Sequence, residues 1–253
     1  HRARDGGNAL GGITGASRGE PMMKWIWCVV AICWIVSFSV ECLSQEKSVR
    51  PGINDNFRDP NVEEWVGKFE IESRETFDMR TAILEAIGLK EGMVVADVGA
   101  GTGLFTRLFA TAVGTQGKVI AQDISQKFLD HIMKTAVDQK LNNIRPVLGK
   151  ETSAELPSNS IDVVFLCDVY HHFEFPEKMM QSIRSALKPD GRVVIVDFAR
   201  EEGKSSDWVL KHVRAGQSVV ESEVERAGFR KVDEKKNLLS ENYFIVFQQA
   251  LKQ

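Results

Sequence analysis

The chain has 253 residues, 43% of them hydrophobic and 26% charged, with a formal net charge of −3 at pH 7. That length holds one α/β core of about two hundred residues beside a shorter leading segment. Lys plus Arg (32) nearly balance Asp plus Glu (35), and no long basic run occurs; this excludes a nucleic-acid substrate, whose phosphates call for clustered cations.

Residues 1–21 are rich in Gly, Arg and Ala, without apolar periodicity. They read as a disordered or non-native extension, with a native start at Met22 or Met23. From Trp25 to Val40 the chain is almost wholly apolar, behind the basic Lys24. Residues 22–44 therefore read as a signal peptide or a signal anchor, the apolar run being slightly short for a span of ~20 residues. Arg2, Arg4, Arg18 and Lys24 all precede that run, which orients the body outward. The expectation is an exported or membrane-anchored protein, associated with the membrane through residues 25–40, and a cytoplasmic one if the segment is not a working signal. Beyond this region only Cys167 remains, so the body forms no intramolecular disulfide.

Residues 45–60, with Pro51, Gly52, Asn54, Asp55 and Pro60, read as an extended linker. Val62, Trp65, Val66, Phe69 and Ile71, then Phe77, Ile83, Leu84 and Ile87, carry helical spacing. Two helices are predicted over 61–88, with Gly88 near the end of the second. Arg74 and Arg80 there either reach a ligand carboxylate or lie on solvated faces.

Val94–Val98 reads as a buried parallel strand, and a helix is predicted from Leu104. Gly99, Gly101 and Gly103 form a loop between them, where a ligand can approach the backbone. The dinucleotide fingerprint needs a third glycine where Leu104 stands, and no Gly-Lys-Ser/Thr follows for a P-loop. Asp97 before Gly99-Ala100-Gly101-Thr102-Gly103 instead resembles motif I of the class I S-adenosylmethionine-dependent methyltransferases. The resemblance implies that Asp97, Gly99, Ala100, Gly101 and Gly103 hold the methionine end of S-adenosyl-L-methionine. An acid suits that ligand, which carries an ammonium and no pyrophosphate.

Lys118–Asp123 reads as the second strand. Asp123 at its tip is placed to accept ribose hydroxyls, about twenty residues past the glycine loop, with Ile124 beside it. Ser125 is the expected helix N-cap. A third strand, Ile144–Leu148, leads into 149–157, where the family often shows Gly-Asp-Ala-x-x-Leu-Pro. Here two extra residues intervene, so Glu151, Thr152 or Ser153 takes the adenine contact.

The fourth strand, Ile161–Cys167, ends at Asp168-Val169-Tyr170-His171-His172-Phe173. The resemblance places this segment beside the transferred methyl, with Asp168 on the cofactor side and Tyr170 and His171 toward substrate. Histidine titrates near neutrality, so His171 is the first choice for a base and His172 the second. No metal site is expected, because adjacent side chains point apart and no second cluster has ligand spacing.

Lys188–Arg192 reads as a turn, and Val193–Val196 as a fifth strand. Asp197 at its end either lines the substrate side or caps the next loop. Trp208, His212 and Arg214 lie on a segment expected to cover the substrate, which His212 and Arg214 are expected to contact. Ser218–Glu221 reads as a capping box opening a helix to about Ala227, with Gly228 closing it. Phe229–Glu234 and Tyr243–Gln248 read as two final strands.

The fold class expected is α/β: a Rossmann-like, seven-stranded class I methyltransferase sheet over 61–253, mostly parallel, with the last strand antiparallel and helices on both faces. The resemblance covers about residues 60–250. It looks most like the small-molecule type of quinone biosynthesis, and implies in-line methyl transfer to a small-molecule acceptor, with oligomeric state open. Arsenite is disfavoured, since the body holds one cysteine. The rivals are a non-catalytic cofactor-binding or interaction domain tethered at a membrane, and an NAD-type oxidoreductase.

Overall fold

A strand covered by helices on both faces reads as an unbroken apolar run, and the central strands of this chain do so. The computed structural model describes residues 45–250. The readings made on residues 1–44, the signal or anchor segment and its membrane association among them, lie outside the described residues. Among the described residues, no helix is long and apolar enough to cross a membrane.

The stretch read as an extended linker carries a helical turn, α1 (Asp55–Arg58). Ile53 and Asn54 ahead of it and Phe57 within it line the main cavity of the domain. The first of the two predicted helices is α2 (Val62–Phe69), capped by the Asn61 side chain on the Glu64 amide. The second is broken into α3 (Glu75–Asp78) and α4 (Arg80–Ile87), joined at Met79. Gly88 closes α4 in the left-handed region at φ +65°, as its position predicts.

Strand β1 (Val94–Val98) leads through the glycine loop into α5 (Leu104–Ala112). Then follow β2 (Lys118–Asp123), α6 (Gln126–Asp138), β3 (Ile144–Leu148) and β4 (Ile161–Cys167). A 3₁₀ turn over Tyr170–His172 precedes α7 (Pro176–Ala186) and β5 (Leu187–Phe198). The chain closes with α8 (Asp207–His212), α9 (Gln217–Arg226), β6 (Phe229–Glu234) and β7 (Asn242–Gln249).

These strands form one sheet in the order β3-β2-β1-β4-β5-β7-β6. Strands β3, β2, β1, β4 and β5 run parallel, and β7 runs antiparallel to both neighbours, as expected. Pro146, which cannot donate to a ladder, falls on the edge strand β3, where that costs least. A core lies on each face. One gathers Phe105, Phe109, Ile132 and Phe165, the other Tyr170, Met180, Ile183 and Phe247.

Three local expectations need correction. The turn read over Lys188–Arg192 is a bulge inside β5: Leu187 pairs with Ile161 and Arg192 with Val163, so five steps on β5 oppose two on β4. Ser125 stands at the N-cap of α6 but makes no capping bond: its amide donates to Asp123, and its buried hydroxyl oxygen has no partner. No capping box forms at Ser218, since α9 begins one residue earlier, behind Gly216.

The order of strands positions everything that follows. From β1 the chain winds outward through β2 and β3, then returns to the other side of β1 as β4. The carboxyl ends of β1 and β4 thus flank a topological switch point, where doubly wound sheets leave a crevice for ligands.

Candidate active site

A cavity of about 590 Å³ opens at that crevice. Its floor comes from the ends of β1, β2 and β4: Asp97, the loop from Gly99 to Thr102, Gln122 to Ile124, and Cys167 to Val169. Its roof includes Phe57, Trp65 and Phe69, so the helices ahead of β1 cover the crest of the sheet.

The loop is shaped to leave bare backbone at the floor. Gly99 lies at φ +70°, and a Cβ built there would stand 2.1 Å from Cγ2 of Val169. No side chain fits, and the left-handed backbone resists one independently. We expect Gly99→Ala to cost about 1–3 kcal/mol of stability through this clash and strain. It should also abolish measurable cofactor binding in a calorimetric titration. Unchanged binding by the variant would mean that the loop does not touch the cofactor. The loop is clamped from outside by Glu70, which accepts from Thr102 Oγ1 at 2.7 Å and pairs with Arg107 at 2.7 Å.

Two buried carboxylates face this floor, and both are held by neutral donors. Asp97 accepts from the Thr106 hydroxyl at 2.6 Å. Burial, chiefly, raises its pKa to about 7, with Asp123 adding to the effect and Thr106 opposing it. Asp123 accepts the amides of Gly101 and Ser125, each at 2.9 Å, one on each oxygen. Burial lifts its pKa to about 6, against those amide bonds. Each carboxylate oxygen keeps lone-pair capacity for another donor. A ligand bringing an ammonium to Asp97 and hydroxyls to Asp123 supplies the charge and donors that these groups lack.

Asp168 is differently engaged. It sits in the left-handed region at φ +52°. One oxygen accepts from Arg74 at 2.6 Å and Thr76 at 3.2 Å, the other from Asn242 at 2.6 Å. It therefore ties α3 and β7 to the end of β4 across the cavity wall. Arg74 is spent on this pair, and Arg80 lies over the Phe77 ring and donates to the Phe77 carbonyl.

The far side of the cavity is aromatic. The 3₁₀ turn brings the rings of His171 and His172 to 4.3 Å, so the adjacent side chains do not diverge as expected. His212 from α8 joins them, its ring 5.3 Å from His171 and 5.1 Å from His172. Around the three stand Phe57 (5.0 Å, edge-on to His172), Phe198 (5.9 Å from His171) and Trp208 (4.6 Å, stacked on His212). Arg50 holds α8 in place by donating to the carbonyls of Lys211 and His212. Burial, followed by the positive ends of its neighbours, lowers His172 to about 2, and burial lowers His212 to about 4.

His171 is 2% exposed and is bound to Asp197 twice. Its amide donates at 3.0 Å and its Nδ1 lies 2.7 Å from the other oxygen. Its Nε2 is buried without a partner. Asp197, left open between two roles by the sequence, thus holds a cavity histidine from behind.

Of the residues singled out in the sequence, the cavity gathers Asp97, Gly99, Ala100, Gly101, Asp123, Ile124, Glu151, Asp168, His171, His172 and His212. Glu151 reaches it while paired to Arg58. Four expected residues do not line it. Gly103 turns the chain into α5 at φ +81°, behind the loop. Thr152 lies in the turn beyond Glu151. Tyr170 and Arg214 meet instead at Glu223: the phenol donates at 3.1 Å and the guanidinium forks onto both carboxylate oxygens at 2.9 and 2.8 Å. The 3₁₀ turn that brings His171 to the cavity sends Tyr170 the other way, into the core under α9.

Residues 89–243 match the family model described as "Methyltransferase domain". The chain belongs to the methyltransferase domain family. It is 25% identical over 183 residues to the ubiquinone/menaquinone biosynthesis C-methyltransferase UbiE of Idiomarina loihiensis, covering 59% of this chain and 71% of that one. The corresponding protein of Ectopseudomonas mendocina is 30% identical over 122 residues, 46% of either chain, so this chain spans about half the length of that relative. Among solved structures, a SAM dependent methyltransferase from Aquifex aeolicus aligns with a TM-score of 0.64 at 26% identity, over 74% of this chain and 99% of that one. The methyltransferase domain described here is S-adenosyl-L-methionine-dependent. Its floor fits that donor chemically: it offers two buried carboxylates to a ligand that carries an ammonium and hydroxyls, and bare glycine backbone beside them.

Proposed function

We propose that this methyltransferase acts on a small acceptor with a flat apolar body, held among Phe57, Phe198 and Trp208 and presented to the histidines. The observation carrying this reading is the division of one cavity into an acid and glycine floor and an aromatic, histidine-bearing wall. Rings of this kind stack on planar apolar molecules. The similarity to quinone-pathway C-methyltransferases supports an aromatic, hydroxylated acceptor of the quinol type.

S-adenosyl-L-methionine supplies an electrophilic methyl group on a positive sulfonium. Asp97 holds its ammonium, Asp123 its ribose, Gly99 to Gly101 its methionine end, and Glu151 lies toward the adenine. The chain's main contribution is alignment of two bound molecules in a closed space, which lowers the barrier without a strong base. His171 then turns Nε2 toward a hydroxyl of the acceptor, with Asp197 fixing the ring. The protein incubated with methyl-labelled S-adenosylmethionine and a panel of hydroxylated aromatics should label members with a flat apolar body and leave peptides and nucleic acids unlabelled. Labelling confined to peptides or nucleic acids would overturn the reading.

A further inference from the structure

One ring nitrogen each from His171, His172 and His212 lies within 4.8 Å of the other two. The Nε2 atoms of His172 and His212 stand 3.4 Å apart. Two imidazole nitrogens bound tetrahedrally to one Zn²⁺ at ~2.0–2.1 Å are separated by about 3.4 Å. His171 has committed Nδ1 to Asp197, so the nitrogen it offers is Nε2, buried and without a partner. A carboxylate on the outer nitrogen is the usual support of a metal-binding histidine, because it keeps the lone pair on the inner one. Packing holds the rings in place: Trp208 is stacked on His212, and Phe57 meets His172 edge-on.

We propose that His171, His172 and His212 form a three-nitrogen site for a divalent first-row metal of the Zn²⁺ type, with a fourth position open to the acceptor. Three imidazoles suit zinc, copper, iron or nickel rather than magnesium or calcium. Three protein ligands with an open position are the arrangement of catalytic rather than structural zinc. The proposal deepens the acceptor reading above and rests on it for what fills the fourth position. An acceptor hydroxyl bound there gives up its proton to solvent water more readily. The oxygen pair so freed forms the new oxygen–carbon bond to the methyl group as the carbon–sulfur bond breaks toward sulfur, and S-adenosylhomocysteine leaves.

The test is metal uptake by the untagged full-length protein, stripped with a chelator and then freed of it. Titration with Co²⁺, followed by visible absorption, should show one ion per chain with the ligand-field bands of a four-coordinate nitrogen site, displaced by one Zn²⁺. His212→Gln and His172→Gln should each weaken Zn²⁺ binding by at least about 100-fold, since losing only an outer partner already costs about 10–100-fold. Circular dichroism reports that each variant is folded. No uptake of Co²⁺ at micromolar concentration overturns the site. So does uptake as tight in both variants as in the parent, which would put the ion away from these histidines. Uptake at the histidines without labelling of any hydroxylated aromatic keeps the metal and sinks the acceptor. Labelling by stripped protein that takes up no metal does the reverse.

Discussion

Asp97→Asn is expected to weaken S-adenosylmethionine binding about 10- to 150-fold, the loss of one charge-assisted hydrogen bond of about 1.5–3 kcal/mol. The variant keeps an oxygen for the Thr106 hydroxyl, so the loss is of charge rather than of shape. The pH dependence separates this cause from a general disturbance of the loop. Burial raises the Asp97 pKa from 3.8 to about 7, so without ligand a proton competes with the ammonium near neutrality. Affinity of the parent should rise by up to about tenfold per unit on the acid side of pH 7 and level off above it. Asp97→Asn should keep only the shallower dependence centred near pH 6 that Asp123 contributes.

The same shift has a consequence for stability. A folded-state pKa above the unfolded value means that the folded chain binds more protons between pH 3.8 and about 7. Its contribution is complete below pH 3.8 and is lost as pH rises through about 7. Free of ligand, Asp97→Asn should therefore melt above the parent at pH 8 and close to it at acid pH. Calorimetric titrations and melts across pH 5–8 read both effects. Equal affinity of the two proteins at pH 8 would remove Asp97 from the cofactor site.

Much of this site was legible in the sequence because β-strand and loop chemistry is local. An acid, then glycines at every second position, between an apolar run and a helix, leaves few geometries open. The five strands with buried apolar runs fell close to where their composition put them. What escaped was set by the third dimension. Adjacent side chains in a loop are expected to point apart, which separates His171 from His172. A 3₁₀ turn instead brings those rings to 4.3 Å, and the partner ring comes from His212, forty residues away. Tyr170 and Arg214 looked available for substrate because one lies on the segment expected to face it and the other on the segment expected to cover it; only the packing of α9 shows that Glu223 holds them. Residues 45–60 looked like a linker from their Pro, Gly and Asn content. Bonds from Gly52 to Glu174 and from Asn54 to the His172 carbonyl, invisible in composition, fasten them over the cavity.

Asp197→Asn should lower kcat by about 10²–10⁴-fold while leaving the affinity for S-adenosylmethionine within about twofold, because it acts through His171 and touches neither substrate. The parent carboxylate accepts three protons' worth of bonding: the His171 amide, the His171 Nδ1 and the Phe198 amide. An asparagine offers one oxygen and one NH₂ in that place. If its NH₂ faces His171 Nδ1, the ring must accept there and carry its proton on Nε2, so the cavity meets a donor where it had a lone pair, and the Phe198 amide, which shares that position, loses its acceptor. If the NH₂ faces the His171 amide instead, two donors are opposed in a buried site, at a cost of about 1–3 kcal/mol. Either orientation damages an acceptor-binding role for Nε2, and the first also removes its capacity to bind a metal. Asp197→Glu, which restores the charge but not the length, should recover little. The readout that a merely structural role would not move is the split itself: a fall in kcat and in Zn²⁺ affinity, with the cofactor titration unchanged. A parallel loss of cofactor binding would place Asp197 in the general scaffold of β5 and take His171 out of the chemistry.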